Sequence, residues 1–172
     1  MNKFFGIGAI ILVGVIASFF TVSNRSVLKF NDATIDKVSA VDGNFLPILK
    51  IMGEYSDNKA IDADKFSKVI TESERGIKSV VTQIETAAVP DSELCKNFHG
   101  SVLAYTKNSL AIVLVYKDKV LPYVKLHNPP TEKDASVVEG LLANSIAEDT
   151  RLLEAVKASQ VSMAKKYKIK LQ

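Results

Sequence analysis

The chain has little cysteine and histidine, and this scarcity removes several classes of protein. Its 172 residues include one cysteine, two histidines and no tryptophan. A single cysteine cannot form an intramolecular disulfide, and it also excludes covalent haem attachment through Cys-x-x-Cys-His. A di-iron bundle needs a glutamate three residues before each histidine, but Lys96 and Val124 occupy those positions relative to His99 and His127. Packing alone must therefore hold the fold together.

The short motifs of common catalytic sites are also missing. Glycine and proline are sparse, at 8 and 5 residues, and no glycine-rich phosphate loop, HExxH or GxSxG sequence occurs. Glu148 and Asp149 are neighbours on a predicted helix, so they face different directions and do not form a catalytic carboxylate pair. We expect a protein that is not an enzyme and that carries no cofactor.

Charge is nearly balanced, with 22 basic and 19 acidic residues and a net charge of +3. The excess comes from Lys3 and from four lysines near the C-terminus. Without them the remainder is slightly acidic. A nucleic-acid-binding domain needs a basic stripe across its fold, so we expect no nucleic-acid partner.

The most distinctive segment that is present runs from Phe4 to Val22 and contains no charged residue. As a helix it would be roughly 28 Å long, which is enough to span the hydrocarbon core of a bilayer. A cleaved secretory signal is the alternative, but its apolar region is usually about 7–15 residues long. A retained signal-anchor helix is therefore favoured, and we divide the chain into an anchor or signal segment at 1–26 and a helical domain at 27–172.

The flanking charges predict the orientation of this anchor. A short N-terminus with a single lysine favours the arrangement in which that terminus stays inside and the rest is exported. Arg25, Lys29 and Lys37 follow the apolar segment and count against this arrangement under the positive-inside rule. We expect a single-pass protein of a bacterial inner membrane, with its domain on the periplasmic, extracytoplasmic side.

The rest of the chain repeats apolar residues every three or four positions, which predicts amphipathic helices. The predicted helices run from Asp32 or Thr34 to Met52, from Asp62 to Ala88, from Asp91 or Ser92 to Leu126, and from Thr131 to Lys168. Pro47 predicts a kink or break near Gly43. The fold class is therefore all-α, an antiparallel four-helix bundle whose long third and fourth helices extend beyond the first two.

One pair of residues has the spacing of metal ligands. Cys95 and His99 lie four residues apart on the third predicted helix and so share a face. A thiolate and an imidazole on one face can bind one metal ion, but a structural zinc site wants four ligands. We therefore favour a buried thiol beside a surface histidine, and we expect no metal.

Three tyrosines lie on the core-facing stripe of the third predicted helix, namely Tyr105, Tyr116 and Tyr123. They could line a ligand cavity between facing helices, but such residues more often fill a core and extend the hydroxyl to its edge. Asp149 interrupts the apolar stripe of the fourth helix. It either pairs with a lysine of another helix or marks a hydrated position.

The C-terminal segment is rich in lysine, with Lys165, Lys166, Lys168 and Lys170 within six residues. An even number of helices would return this tail to the membrane, where each lysine near anionic lipid contributes about 1 kcal/mol. Alternatively, the lysines only complement the dipole of the last helical turn. Lipid is the partner that the sequence predicts most directly.

An N-terminal membrane helix followed by a helical bundle resembles LemA-type proteins, with Phe45–Leu49 (FLPIL) as the local similarity. The second half of the chain shows no matching pattern, so the resemblance assigns no residue a role. The function we expect is that of a scaffold, adaptor or accessory subunit of a membrane complex, with a protein partner or self-association. The alternative is an exported bundle that binds a small apolar or metal ligand.

Overall fold

The structure, a computed structural model, describes residues 24–170. Its helices are α1 (Arg25–Ser56), α2 (Ala63–Glu85), α3 (Glu93–Val115), α4 (Leu121–Leu126) and α5 (Glu132–Tyr167), and a π-helical turn (Tyr116–Val120) joins α3 to α4. The described residues contain no strand, so the all-α prediction is confirmed for them. The predicted anchor lies almost entirely outside these residues. None of the described helices is both long and apolar enough to cross a membrane.

The elements form a bundle of four helices because α3, the π turn and α4 continue one another as a composite third helix. Consecutive helices run in opposite directions. α3 packs most extensively on α5, and α2 lies between α1 and α3. The core contains the apolar stripes that the spacing predicted, including Ile48, Phe66, Phe98 and Leu142, all fully buried.

Helix α1 is longer than the sequence predicted. It begins at Arg25 rather than at Asp32 or Thr34, because Val27, Phe30 and Asn31 are buried and extend the core-facing stripe towards the N-terminus. The predicted start overlooked this stripe, since polar residues separate its apolar members.

A kink or break was predicted near Gly43, and the break does not occur, because α1 is continuous through Pro47. Val41 and Ile48 on either side of this region are fully buried, so both halves of the helix are held on the core. The hydroxyl of Ser73 on α2 donates a hydrogen bond of 2.7 Å to the carbonyl of Asn44. This bond joins α1 to α2 one residue beyond the carbonyl of Gly43, which is the one that Pro47 leaves without a helical donor.

Helix α1 has 32 residues, α5 has 36 and α2 only 23. The predicted two-helix extension is therefore wrong, because α1 is nearly as long as the third and fourth helices. The segment 86–92, which follows the short α2, lies beside the first turns of α1 instead.

Local signals set the helix ends. Asp62 caps α2 by accepting hydrogen bonds from the backbone N–H groups of Asp64 and Lys65. Thr131 and Asp134 form the predicted capping box at the start of α5, which satisfies orphan donors of the first turn. Pro122 lies in the first turn of α4, directly after the π turn of the composite third helix.

Candidate functional site

The structure brings the first turn of α1 and the last turn of α5 to the same end of the bundle. The side-chain amide of Asn24 donates to the carbonyl of Tyr167 at 2.8 Å. The hydroxyl of Tyr167 in turn donates to Ser92 at 2.7 Å, which fixes the segment 86–92 at this end. Asn24, two residues beyond the apolar N-terminal segment, is therefore adjacent to the end of α5.

Basic side chains concentrate at this end, which we call the basic end. Its exposed cations are Arg25, Lys29, Lys165, Lys166, Lys168 and Lys170. Ile169 is buried, and its N–H donates to the carbonyl of Ala164 at 2.9 Å, so the residues after α5 fold back on the bundle. The opposite end carries charges of both signs, with Asp57, Asp62, Asp64 and Glu132 beside the exposed residues Lys59, Lys65, Lys125 and Lys133. An excess of exposed cations therefore distinguishes the basic end.

A groove of about 810 Å³ lies beside the basic end. One wall is the N-terminal part of α1, with Lys29 and Lys37, and the other is the end of α2 with the segment 86–91. Lys37 is half-buried and Lys29 is exposed. No pattern in the sequence predicts this groove, because its second wall is an irregular segment without a periodic repeat.

Cys95 and His99 share a helix face, but neither is arranged as a metal ligand. The Nε2 atom of His99 lies 2.8 Å from the carbonyl oxygen of Ile84, so this nitrogen carries the proton and donates it. Cys95 is fully buried, and burial raises the pKa of its thiol. Within residues 24–170, no three cysteine, histidine or acidic side chains gather into a possible metal site.

A polar cluster that the sequence did not predict lies between α1, α3 and α5, and we call it the acidic seam. The hydroxyl of Tyr105 donates to Asp42 at 3.1 Å, and the amide of Asn108 donates to Asp149 at 3.2 Å. Both carboxyl groups are half-buried. The partner of Asp149 is thus an asparagine, and the lysine pairing considered as one alternative is absent from the described ion pairs.

The acidic seam lowers the stability of the fold, because two partly buried carboxyl groups lie close enough to repel each other. Burial raises the pKa of Asp149 to about 6, and the charge of Asp42 adds to the increase while the hydrogen bond from Asn108 opposes it. Burial also raises the pKa of Asp42, against a hydrogen bond from Tyr105. Burial and then the charge of Asp42 raise the pKa of Tyr105. In the sequence, Asp149 interrupts the apolar stripe of the fourth helix, whereas no pattern distinguishes Asp42 from other surface acids.

The other two tyrosines of the predicted stripe differ from each other. Tyr123 is only half-buried, and its hydroxyl donates to Asp134 at 2.7 Å. Tyr116 is fully buried at the start of the π turn, and its hydroxyl has no hydrogen-bond partner among the described residues. Tyr116 packs edge-on against Phe66, with ring centroids 6.3 Å apart. The core interpretation thus fits both Tyr105 and Tyr116.

A hydrogen-bonded cluster closes the end of the bundle opposite the basic end. Asp134 accepts from Tyr123, from both the N–H and the hydroxyl of Thr131, and lies 3.1 Å from Nδ1 of His127. The hydrogen bonds from Thr131 and Tyr123 lower the pKa of Asp134 to about 2. Asn128 bonds both the N–H and the carbonyl of Ile61, which ties the two loops together. These contacts are structural, because each one joins chain segments to each other.

Comparison with protein-family models, with curated proteins and with solved structures found no match. The local resemblance at Phe45–Leu49 therefore assigns no family. What the chain does has to be inferred from the basic end, the groove and the seam.

Proposed function

We propose that this chain is a single-pass, membrane-anchored helical bundle that acts as a scaffold, adaptor or accessory subunit of a membrane complex. Its anchor would be the segment Phe4–Val22, which is uncharged and long enough to span a bilayer. We place the bundle on the extracytoplasmic side of a bacterial inner membrane. Its partners would be lipid at one end and a protein, or a second copy of the chain, along its helices.

The observation that carries this proposal is the hydrogen bond between Asn24 and the carbonyl of Tyr167. It places the start of α1, where the apolar segment connects, next to the end of α5. An anchored bundle would therefore hold Lys165, Lys166 and Lys168 against the headgroup region. Each lysine near anionic lipid contributes about 1 kcal/mol, so the basic end supports attachment by a second, electrostatic contact.

The arrangement of polar groups supports a contact function over catalysis. The acidic seam and the far-end cluster are built of hydrogen bonds that join helices or loops, for example between Asn108 on α3 and Asp149 on α5 at 3.2 Å. The helices α1 and α5 are each about 50 Å long at about 1.5 Å per residue, which offers extended surfaces to a partner. Leu46 lies on the outer side of α1 and is 56% exposed.

Alkaline extraction of membranes tests the anchor. The full chain should stay in the membrane pellet at pH 11, whereas a variant with Ile11→Lys and Val13→Lys should move to the supernatant. Translocation scales assign about 2.5–3.5 kcal/mol to a lysine at the centre of a membrane helix. A matched control with Ser56→Lys and Ala60→Lys adds the same charge outside the apolar segment and should stay in the pellet. Release of the unmodified chain would contradict the proposal.

Cysteine labelling tests the orientation. In a Cys95→Ser background, Ala60→Cys places one thiol in the exposed loop between α1 and α2. An impermeant maleimide should label this thiol in cells with a permeabilised outer membrane and an intact inner membrane. Labelling that requires lysis of the inner membrane would place the bundle on the cytoplasmic side.

Native electrophoresis of the solubilised chain tests the scaffold role. We expect a defined complex larger than one chain in its micelle, and a photocrosslinker at Leu46 should give one dominant adduct. The matched position is Asp118, which is exposed in the π turn, and a crosslinker there should give little adduct. A monomer without adducts at either position would contradict a scaffold or subunit function.

A further inference from the structure

The groove beside the basic end joins a wall that carries two lysines to a mostly apolar wall, on which Asp91 is the charged lining residue. Lys29 and Lys37 lie on its α1 wall, and Ala87, Ala88 and Val89 lie on the other. Its volume of about 810 Å³ is within the range of small-molecule sites, which is about 300–1,000 Å³. The groove is therefore large enough for part of an amphiphilic molecule.

The two lysines of the groove lie on the same helix, eight residues apart on α1. The Nζ atom of Lys37 lies 3.4 Å from the carbonyl of Ala33, one turn nearer to Lys29. Neither lysine forms an ion pair with a described carboxylate. Both lysines therefore line the groove without a paired carboxylate among the described residues, which leaves them available to an anion.

The acidic residues near the groove do not cancel this charge. Asp91 is the only carboxylate that lines it, and Asp91 pairs with Lys96 at 2.6 Å. Asp32 and Asp36 belong to the same stretch of α1 but do not line the groove. The lining of the groove therefore carries two lysines against one carboxylate, and the exposed lysines of the α5 tail lie at the same end of the bundle.

The apolar part of the second wall suits a molecule that has an apolar portion next to its charged group. Ala87 and Val89 are half-buried and Ala88 is exposed, so residues 87–89 offer small apolar side chains. Ala88 and Val89 follow the last turn of α2 and are not helical. A glycerol backbone with the first methylenes of an acyl chain matches such a wall in size and polarity.

We propose that this groove binds one anionic phospholipid, with its phosphate between Lys29 and Lys37 and its glycerol and upper acyl region against Ala87–Val89. The proposal rests on the proposed function, because it needs the basic end to lie at a bilayer. Lys29 is about 8 Å along α1 from Asn24, which is less than a Debye length of about 10 Å. The groove would select the headgroup charge of the lipid that surrounds the anchor.

Native mass spectrometry of the full chain in mixed micelles tests this site. The probes are phosphatidylglycerol and phosphatidylcholine with the same acyl chains, added at equal concentration. The unmodified chain should retain phosphatidylglycerol in preference to phosphatidylcholine. The variant with Lys29→Gln and Lys37→Gln should lose about fivefold in affinity for each lysine, or about 25-fold in total.

The matched control removes two exposed lysines from the other half of the bundle, with Lys50→Gln and Lys65→Gln. It should keep the lipid preference within about twofold, because neither residue lines the groove. An equal loss in both double variants would show a diffuse effect of net charge and would overturn the site. Retention of the preference in the Lys29 and Lys37 variant would overturn it as well.

A second pair of variants tests the apolar wall without removing a lysine. Ala88→Glu puts a carboxylate against the bound phosphate, and we expect a loss of about fivefold or more in phosphatidylglycerol retention. Ala88→Gln has nearly the same shape and should retain the lipid within about twofold. Since Ala88 is exposed and lies outside the helices, both variants should keep the circular dichroism of the unmodified chain. Equal retention by the two variants would contradict the proposed position of the lipid.

Alkaline extraction and lipid retention, measured on the same variants, distinguish failure of the groove proposal from failure of the anchoring proposal. If the Lys29 and Lys37 variant stays in the alkaline pellet but loses its lipid preference, both proposals hold. If it stays in the pellet and keeps the preference, only the groove proposal fails. If the unmodified chain leaves the membrane at pH 11, the anchoring proposal fails first and the groove loses its premise.

Discussion

Replacement of Asp149 by asparagine should stabilise the bundle at neutral and alkaline pH. In the unmodified chain the carboxyl of Asp149 is half-buried beside Asp42, with its pKa raised from 3.8 to about 6. Ionisation is therefore less favourable in the folded chain than in the unfolded one. Asparagine retains the shape and can still accept the hydrogen bond from Asn108, but it never ionises.

The magnitude follows from the difference between the two pKa values. At about 1.4 kcal/mol per pKa unit, a pKa of about 6 against 3.8 corresponds to an upper bound of about 3 kcal/mol. Solvent reaches the half-buried carboxyl and screens part of this cost, so we expect a gain of about 1–2 kcal/mol at pH 8. For a domain of this size that gain raises the Tm by about 3–6 °C.

The effect of Asp149→Asn on the stability of the bundle depends on pH. Below pH 4 the carboxyl is protonated in the folded state and largely protonated in the unfolded state, so Asp149→Asn should change the Tm little. Between pH 4 and pH 6 the folded state holds the proton more tightly, so the stability of the unmodified chain falls as pH rises. Above pH 6 the full cost is present, and the benefit of the substitution should level off.

Thermal unfolding followed by circular dichroism at 222 nm, from pH 4 to pH 8 in mild detergent, measures this effect. Glu139→Gln is the matched control, because Glu139 is an exposed carboxyl on the same helix, and its Tm difference should not vary with pH in this way. Asp42→Asn should also stabilise, and the double variant should gain less than the sum because one charge raises the pKa of the other. A benefit of Asp149→Asn that is equal at pH 4 and pH 8, or a loss at pH 8, would refute the reasoning.

Three further predictions concern single side chains. Tyr116→Phe should leave the Tm unchanged or raise it by about 2–4 °C, since it removes a buried hydroxyl without a described partner. The matched variant Tyr55→Phe should lower the Tm in the same melting experiment, because the Tyr55 hydroxyl donates to the carbonyl of His127 at 2.8 Å. Asp134→Asn should lower the Tm at pH 7 with no difference below pH 2, because the pKa of Asp134 is lowered to about 2 and its contribution is lost as pH falls through that value. Cys95 should resist a thiol reagent in the folded chain and react fully in denaturant, because its side chain is fully buried. The absorbance of the released chromophore measures the reaction. Rapid labelling of the folded chain would contradict the buried position of Cys95.

The helix ends could be predicted where the signal is local. The cap at Asp62 and the capping box at Thr131 and Asp134 each depend on residues within three positions of one another. Such signals act through the first turn of a single helix, so they need no knowledge of the fold.

The start of α1 and the passage through Pro47 could not be predicted, because both depend on other helices. Phe30 is buried at a centroid distance of 6.0 Å from Phe98, which lies far along the chain on α3. The hydroxyl that bonds the carbonyl of Asn44 comes from Ser73 on α2. Helix propensity alone gives the wrong answer at both places, since tertiary contacts override it.

The residues of the candidate surfaces also fall into two groups, those with a local pattern in the sequence and those that only the folded bundle brings together. The lysine tail and the interruption at Asp149 are visible in the sequence, because each is a run or a break in a local pattern. Asp42 lies on α1 beside the core-facing Val38 and Val41 and looks like an ordinary surface acid. Its position against Tyr105 and Asp149 exists only in the folded bundle.

Polar contacts between α1 and α5 explain why these acids meet. Asn24 bonds Tyr167, Asn31 bonds Gln160, and Asp42 faces Asp149. Positions 24, 31 and 42 on α1 are separated by the same steps as positions 167, 160 and 149 on α5, so one antiparallel register aligns all three pairs. A shift of one turn would leave Asn31 and Gln160 buried without their partner, at about 1–3 kcal/mol for each group. Apolar packing between two long helices tolerates such a shift more easily, so these polar pairs favour one register, and that register brings the two carboxyl groups together.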